Sequence, residues 1–218
     1  MSILTYSLIT IPDFATGSKL HNLHGLDNNG AAKALFHLQT QKTGSECLPS
    51  YLQQIIAISI ILTDNNGEQQ RTTLKGDPEI ELLNTFFDII ESYQPTIITW
   101  DGEFFNSEVI SYRSIKHSLQ MSPHYENKEN HFDLNNAMVS SSEKTPLEDV
   151  ATLLGLEAEE NRESRAICES YLAGELDDLY AYSETNVLNT YQIYLRYQLS
   201  HGKIDEENYT ILMGANKE

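Results

Sequence analysis

Two spacings in this chain of 218 residues put side chains of possible chemical use on a shared face. Ser7 and Ile9 stand two apart in a stretch that reads as a strand, so both point to one side of a sheet. Tyr182 and Asn186 stand four apart in a stretch that reads as a helix, and they too share a face. Between these pairs the string WDGEFFN sets Asp101 five residues before Asn106. Hydroxyl, phenol and carboxamide groups can orient a ligand by hydrogen bonding. Of these positions only Asp101 offers the anionic oxygen that a hard divalent cation prefers. The histidines His21 and His24, three apart, could form a ligand pair, but they lie in a loop-like region without an acid partner. Cys47 and Cys168 make no C-x-x-C and no framework, which fits two reduced thiols in a cytosolic protein. There is no Gly-rich phosphate loop and no nucleophile elbow.

The elements that must position these residues can be read from pattern. Residues 3–11 form a first buried strand closed by Pro12-Asp13, and 14–50 form a long polar excursion with one short helix near Ala31–Leu38. A strand over 54–63, the turn Asn65-Asn66-Gly67 and a strand near 68–74 make a hairpin. Asp77 caps a helix carrying Ile80, Leu83, Phe86, Phe87 and Ile90 at helical spacing, with Pro78 in its first turn. Residues 96–100 are a short buried strand and 106–119 a helix. A polar loop follows over 120–131, then a short ordered piece over 132–139. From Pro146 onward all is helical, over 146–154, 162–173, 175–199 and 204–213. This order predicts one α/β domain with a mixed sheet.

The 40% apolar content supports a sizeable core. With 14 Lys and Arg against 32 Asp and Glu, the formal charge is −18. Such acidity excludes strong generic affinity for nucleic acid, which depends on basic side chains neutralising phosphates. It also argues against an anionic membrane surface. The N-terminus lacks the positive region and cleavage site of a secretory leader, and the apolar run at 55–62 is too short to span a bilayer. A soluble, cytoplasmic protein is expected.

Three strings carry a family resemblance: ILTYSLITIPD at 3–13, FFDIIESYQPTIITWDGEFF at 86–105 and YLAGELDDLYAYSETNVLNTYQIYLRYQL at 171–199. They resemble the predicted 3′–5′ exonucleases related to the proofreading domain of family-B DNA polymerases, in the ribonuclease H-like superfamily. The similarity runs through nearly the whole chain, weakest at 14–50 and 156–168. It implies a single ribonuclease H-like domain over 1–218. It also implies a site where an Asp-x-Glu, a second Asp and a Tyr-x-x-x-Asp hold two Mg²⁺ or Mn²⁺ ions for phosphodiester hydrolysis.

On that alignment the four carboxylate positions are occupied by Ser7, Ile9, Asn106 and Asn186, and only the tyrosine, Tyr182, is kept. Asp101, with carbonyl oxygens of Asn106 and Asn186, is the one candidate for a substitute ligand. Asp13 and Asp133 match acidic family positions but read as capping or turn residues. Glu184, about 200° round the helix from Asn186, should face away. Tyr182 itself has a packing reading, because its helix carries several other tyrosines. The segment EAEENRESRAI at 157–167 reads as a solvated charged helix face or as a protein-binding surface.

The expected function is that of a catalytically degenerate exonuclease-like protein with a binding or regulatory role, needing no metal. Its expected partner is a basic protein, with weak or no nucleic-acid binding and no membrane. Two alternatives stand beside it: a nuclease working through an unusual metal site, and a binder of nucleic-acid ends. The end-binder would need a local patch from Arg71, Arg113, Lys116 and Arg196.

Overall fold

The computed structural model describes residues 2–76, 78–100, 105–138 and 145–214. Strand β1 (Ile3–Pro12) is the hub of a five-stranded mixed sheet. Its alternation decides which helices cover which face. Leu4 and Tyr6 point to one side, Ile3 and Ile9 to the other. β2 (Gln53–Thr63) pairs antiparallel with β1, from Ile3 opposite Thr63 to Pro12 opposite Gln53, with a register shift between Ile9 and Thr10. β3 (Gln69–Lys75) closes the hairpin, whose turn uses Gly67 at φ 84° and is drawn in by the Asp64 carboxylate on the amides of Asn66 and Glu68. On the other side of β1, β4 (Thr96–Thr99) and β5 (His131–Asp133) add in parallel, giving the order β3-β2-β1-β4-β5.

Two helices, α3 (Glu79–Tyr93) and α4 (Phe105–His117), cover the Leu4 face. Leu83, Phe86 and Ile90 of α3 and Val109 and Ile110 of α4 interlock there with Leu4, Tyr6, Ile58 and Ile60. The Ser7 face is covered chiefly by one long helix, Leu176–Ser200, with Val187, Tyr191 and Leu195 packed on Ile61 and Ile98. Thr63 and the Tyr191 hydroxyl, both buried, satisfy one another at 2.9 Å.

Before the C-terminal helices the sequence reading fails in two places. The excursion over 14–50 holds two helices rather than one, α1 (Phe14–Leu20) and α2 (Asn28–Thr43). Both are held by caps and by a close contact: a Cβ on Gly17 would lie 2.7 Å from Leu35. The polar loop over 120–131 contains a short helix α5 (Pro123–Glu126), and the ordered piece after it begins as strand β5 and turns into α6 (Leu134–Met138). The C-terminal helices are α7 (Leu147–Leu153), α8 (Ser164–Ala173), α9 (Leu176–Ser200) and α10 (Glu206–Gly214). Asp77, expected as the cap of α3, lies outside the described residues; Pro78 occupies the cap position. No described helix is long and apolar enough to cross a membrane.

Candidate functional site

The α9 face of β1 carries the first pair of candidate positions. Ser7 is half-buried and sits opposite Ser59, which in turn sits opposite Thr73 of β3. These three hydroxyls form a row across the strands. Ser59 and Thr73 are 3.2 Å apart, and Thr73 donates to the Glu184 carboxylate of α9 at 2.6 Å. Glu184 therefore serves the β3 edge of the sheet, where it lines a 410 Å³ groove. Ile9, two residues on, is sealed in an apolar cluster with Ala57, Leu179 and Tyr182.

Tyr182 joins that cluster with its ring and leaves it with its hydroxyl. The phenol donates to the Asn161 side-chain oxygen at 3.3 Å and accepts from the Arg162 backbone N–H at 3.3 Å. The Arg162 guanidinium lies 5.0 Å above the ring and pairs with Glu159 at 3.1 Å. Asn189 of α9 anchors this stretch by donating to the Glu157 carbonyl at 2.8 Å. The expected helix over 162–173 starts at Ser164 instead. The acidic segment before it is an irregular strap laid over Tyr182, because its backbone groups find partners on α9 side chains rather than on a helical turn. Nothing short-range in the sequence signals this contact.

Tyr182 and Asn186 line one open cleft of 290 Å³ with Trp100, Asn135, Thr145 and Asn161. Its polar walls are mostly amides and hydroxyls. Trp100 Nε1 donates to the Thr145 carbonyl at 3.1 Å, and Asn135 grips the same residue through its side-chain amide. Among the described residues lining it, Glu148 is the one carboxylate. Ser7, Ile9 and Asn106 are not among the described walls. Asn106 is half-buried in the first turn of α4, and Asp101 lies outside the described residues. The structure thus unites Tyr182 with Asn186 and touches Ile9 to the same tyrosine, while Ser7 belongs to the hydroxyl row.

A pair of divalent ions does not fit these residues. Ile9 offers no donor atom, and Ser7, Asn106 and Asn186 offer only neutral oxygens, where two-metal hydrolysis needs anionic ones. Among the described residues no three His, Cys, Asp or Glu side chains converge as a metal would need.

The remaining acids have structural partners. Asp13 caps α1 by accepting from the Thr16 N–H at 3.0 Å, and it is almost wholly buried. Burial works against its charge, but the Lys116 and Arg113 contacts and the Thr16 bonds outweigh it and hold the carboxyl well below the usual range. Asp133 accepts from the Asn136 N–H at 2.9 Å in the first turn of α6. Of the four residues expected to make the basic patch for end-binding, Arg71 is exposed on β3 and the other three have partners within the fold. Arg113 is 2% exposed, with Nη1 on Asp13 at 2.6 Å and Nε on Glu79 at 2.7 Å. Lys116 also pairs with Asp13, and Arg196 donates to the Leu154 carbonyl at 2.8 Å. These three cations serve the fold.

Residues 45–218 match the family of predicted 3′–5′ exonucleases related to the exonuclease domain of PolB. The chain belongs to this family. The match takes in Asn106, Tyr182 and Asn186 but begins after β1, so Ser7 and Ile9 stand outside it. Among solved structures the fold is similar to the family B DNA polymerase from the hyperthermophilic archaeon Pyrobaculum calidifontis, with a TM-score of 0.57 and 10% identity. That likeness covers 97% of this chain and 27% of the polymerase, so the chain spans about a quarter of that protein's length. It establishes the fold, and a mixed sheet flanked by helices is the ribonuclease H-like arrangement expected from the sequence. No curated protein matches the chain.

Proposed function

We propose that this exonuclease-like domain does not cleave and serves instead in binding or regulation. One observation carries the reading: the four positions that the family resemblance matches to metal carboxylates hold Ser7, Ile9, Asn106 and Asn186. The burial of Ile9 beside Tyr182 supports it, because a carboxylate restored there would meet apolar neighbours. So does the engagement of the Tyr182 hydroxyl by the strap. A phenol bonded to Asn161 and Arg162 is a packing and positioning group.

The test is a nuclease assay on labelled single- and double-stranded DNA and RNA with Mg²⁺ or Mn²⁺. No mononucleotide release is expected. Metal-dependent release that disappears in Asp101→Ala would establish the alternative site and overturn this reading.

A further inference from the structure

Helix α4 turns an apolar stripe outward. Glu108, Tyr112 and Ile115 follow one another at helical spacing, so they lie along one face. Ile115 is 73% exposed and Tyr112 45%. Tyr51, 43% exposed on a short 3₁₀ turn (Ser50–Leu52), meets Tyr112 edge-on at 6.1 Å between ring centres. Ser50 donates to the Glu108 carboxylate at 2.8 Å, which pins that carboxylate to the border of the aromatic pair. Glu108 also lines a 480 Å³ cavity at the ends of β4 and β5. The charged lining there is Glu108, Glu126 and Asp133 against Lys128, with His131 beside them.

Exposed aromatic and aliphatic side chains next to an acidic cavity present two demands at once. Tyrosine faces attract cations, and guanidinium stacks on them while bonding a neighbouring carboxylate. Ile115, next to Tyr112 on the same face, would gain from an apolar cover. A second copy of this chain meets only the second demand, and each copy brings a charge of −18 that repels the other. A segment combining arginine with apolar residues meets both.

We propose that the Tyr51–Tyr112–Ile115 stripe is a docking surface for a basic protein segment with apolar anchors, its arginines reaching Glu108 and the adjoining acidic cavity. The surface lies on the opposite sheet face from α9, so it stands whichever way the cleavage assay falls.

The probe is a fluorescent amphipathic arginine–leucine peptide, titrated by anisotropy at physiological salt. Saturable binding is expected, weakened about tenfold in Tyr112→Ser/Ile115→Ser and about tenfold in Glu108→Gln/Glu126→Gln. An arginine–serine peptide of equal charge should bind about as poorly as those variants. Two controls separate the site from general acidity and stickiness: Glu206→Gln/Glu207→Gln on α10, and Leu153→Ser, at a leucine 80% exposed on α7. Both should bind as wild type does. Absence of saturable binding, or equal weakening by the α10 pair, overturns the proposal. So does a dimer in sedimentation equilibrium that Ile115→Ser dissociates, which would give the surface to a second copy.

Discussion

Replacing Arg113 by methionine should destabilise the domain by about 3 kcal/mol, the low end of the cost of removing one partner from a buried ion pair. Arg113 is the cation of a buried network joining three elements: Asp13 at the start of α1, Glu79 at the start of α3, and α4 itself. Methionine fills much of the volume, so the loss is mainly electrostatic. The low end applies because neither carboxylate is orphaned. Glu79 keeps the Ile55 N–H at 2.6 Å and His117 at 2.8 Å, and Asp13 keeps Thr16 and Lys116. For a domain of this size such a loss lowers the melting temperature by about 6–12 °C. Urea unfolding across pH gives the sharper check. Asp13 is held below its usual range when folded, so its contribution is complete above the unfolded value of about 3.9 and fades as pH falls through the folded value. Without Arg113 its carboxyl takes up a proton at higher pH, which relieves part of the penalty. The gap between wild type and variant should therefore be constant from neutrality to about pH 5 and narrow below it. A deficit under about 1 kcal/mol, or one that widens toward acid, would refute the account of the network.

The melting temperature of the wild type should be indifferent to millimolar Mg²⁺ or Mn²⁺, since a ligand stabilises only through binding to the folded state. The variant Ser7→Asp/Ile9→Glu/Asn106→Asp/Asn186→Asp should melt lower without metal and recover on adding Mn²⁺; equal metal response in both proteins would place a metal elsewhere. Native labelling with a maleimide should modify the exposed Cys47 and spare Cys168, which is buried and pushed up to about 11 by desolvation and the nearby Glu169; two fast-reacting thiols would contradict this. Tyr191→Phe should cost about 1 kcal/mol in urea unfolding through the lost bond to Thr63, and a neutral result would mean that water replaces it.

Much of the sheet and the long helices was legible because their signals are local. β1, the Asn-Gly hairpin, α3 and α9 each announce themselves by alternation, turn chemistry or helical spacing. What was missed depends on contacts distant in sequence. α1 has a glycine at its centre, a poor helix former, yet Gly17 is what lets Leu35 of α2 approach. β5 is three residues without alternation and exists as a strand because β4 offers it a parallel edge. The same limit governs the site. The face-sharing of Tyr182 and Asn186 follows from helical geometry, and Glu184 turns to Thr73 as the helix angle requires. The strap over Tyr182 follows from no spacing rule. Nor could Arg113, a hundred positions from Asp13, be recognised as a structural cation rather than part of a surface patch.

Retention of Tyr182 beside neutral residues is understandable without catalysis. In a two-metal site, crowded carboxylates repel one another until cations arrive, a cost to the empty fold that activity justifies. On the proposed reading that constraint is lifted here, and packing decides which residues stay. Ile9 faces apolar neighbours, and an isoleucine there contributes burial where a glutamate would need a partner. Tyr182 fills the same cluster with its ring while its hydroxyl ties down Asn161 and Arg162, so removing it would open the core and release the strap together. Asn186 has no comparable hold on the core; it is half-buried at the cleft wall, with its backbone carbonyl taken by Thr190 at 2.9 Å. On the proposed reading the tyrosine is thus the member of the set with a second employment in the fold, which accounts for its being the one kept.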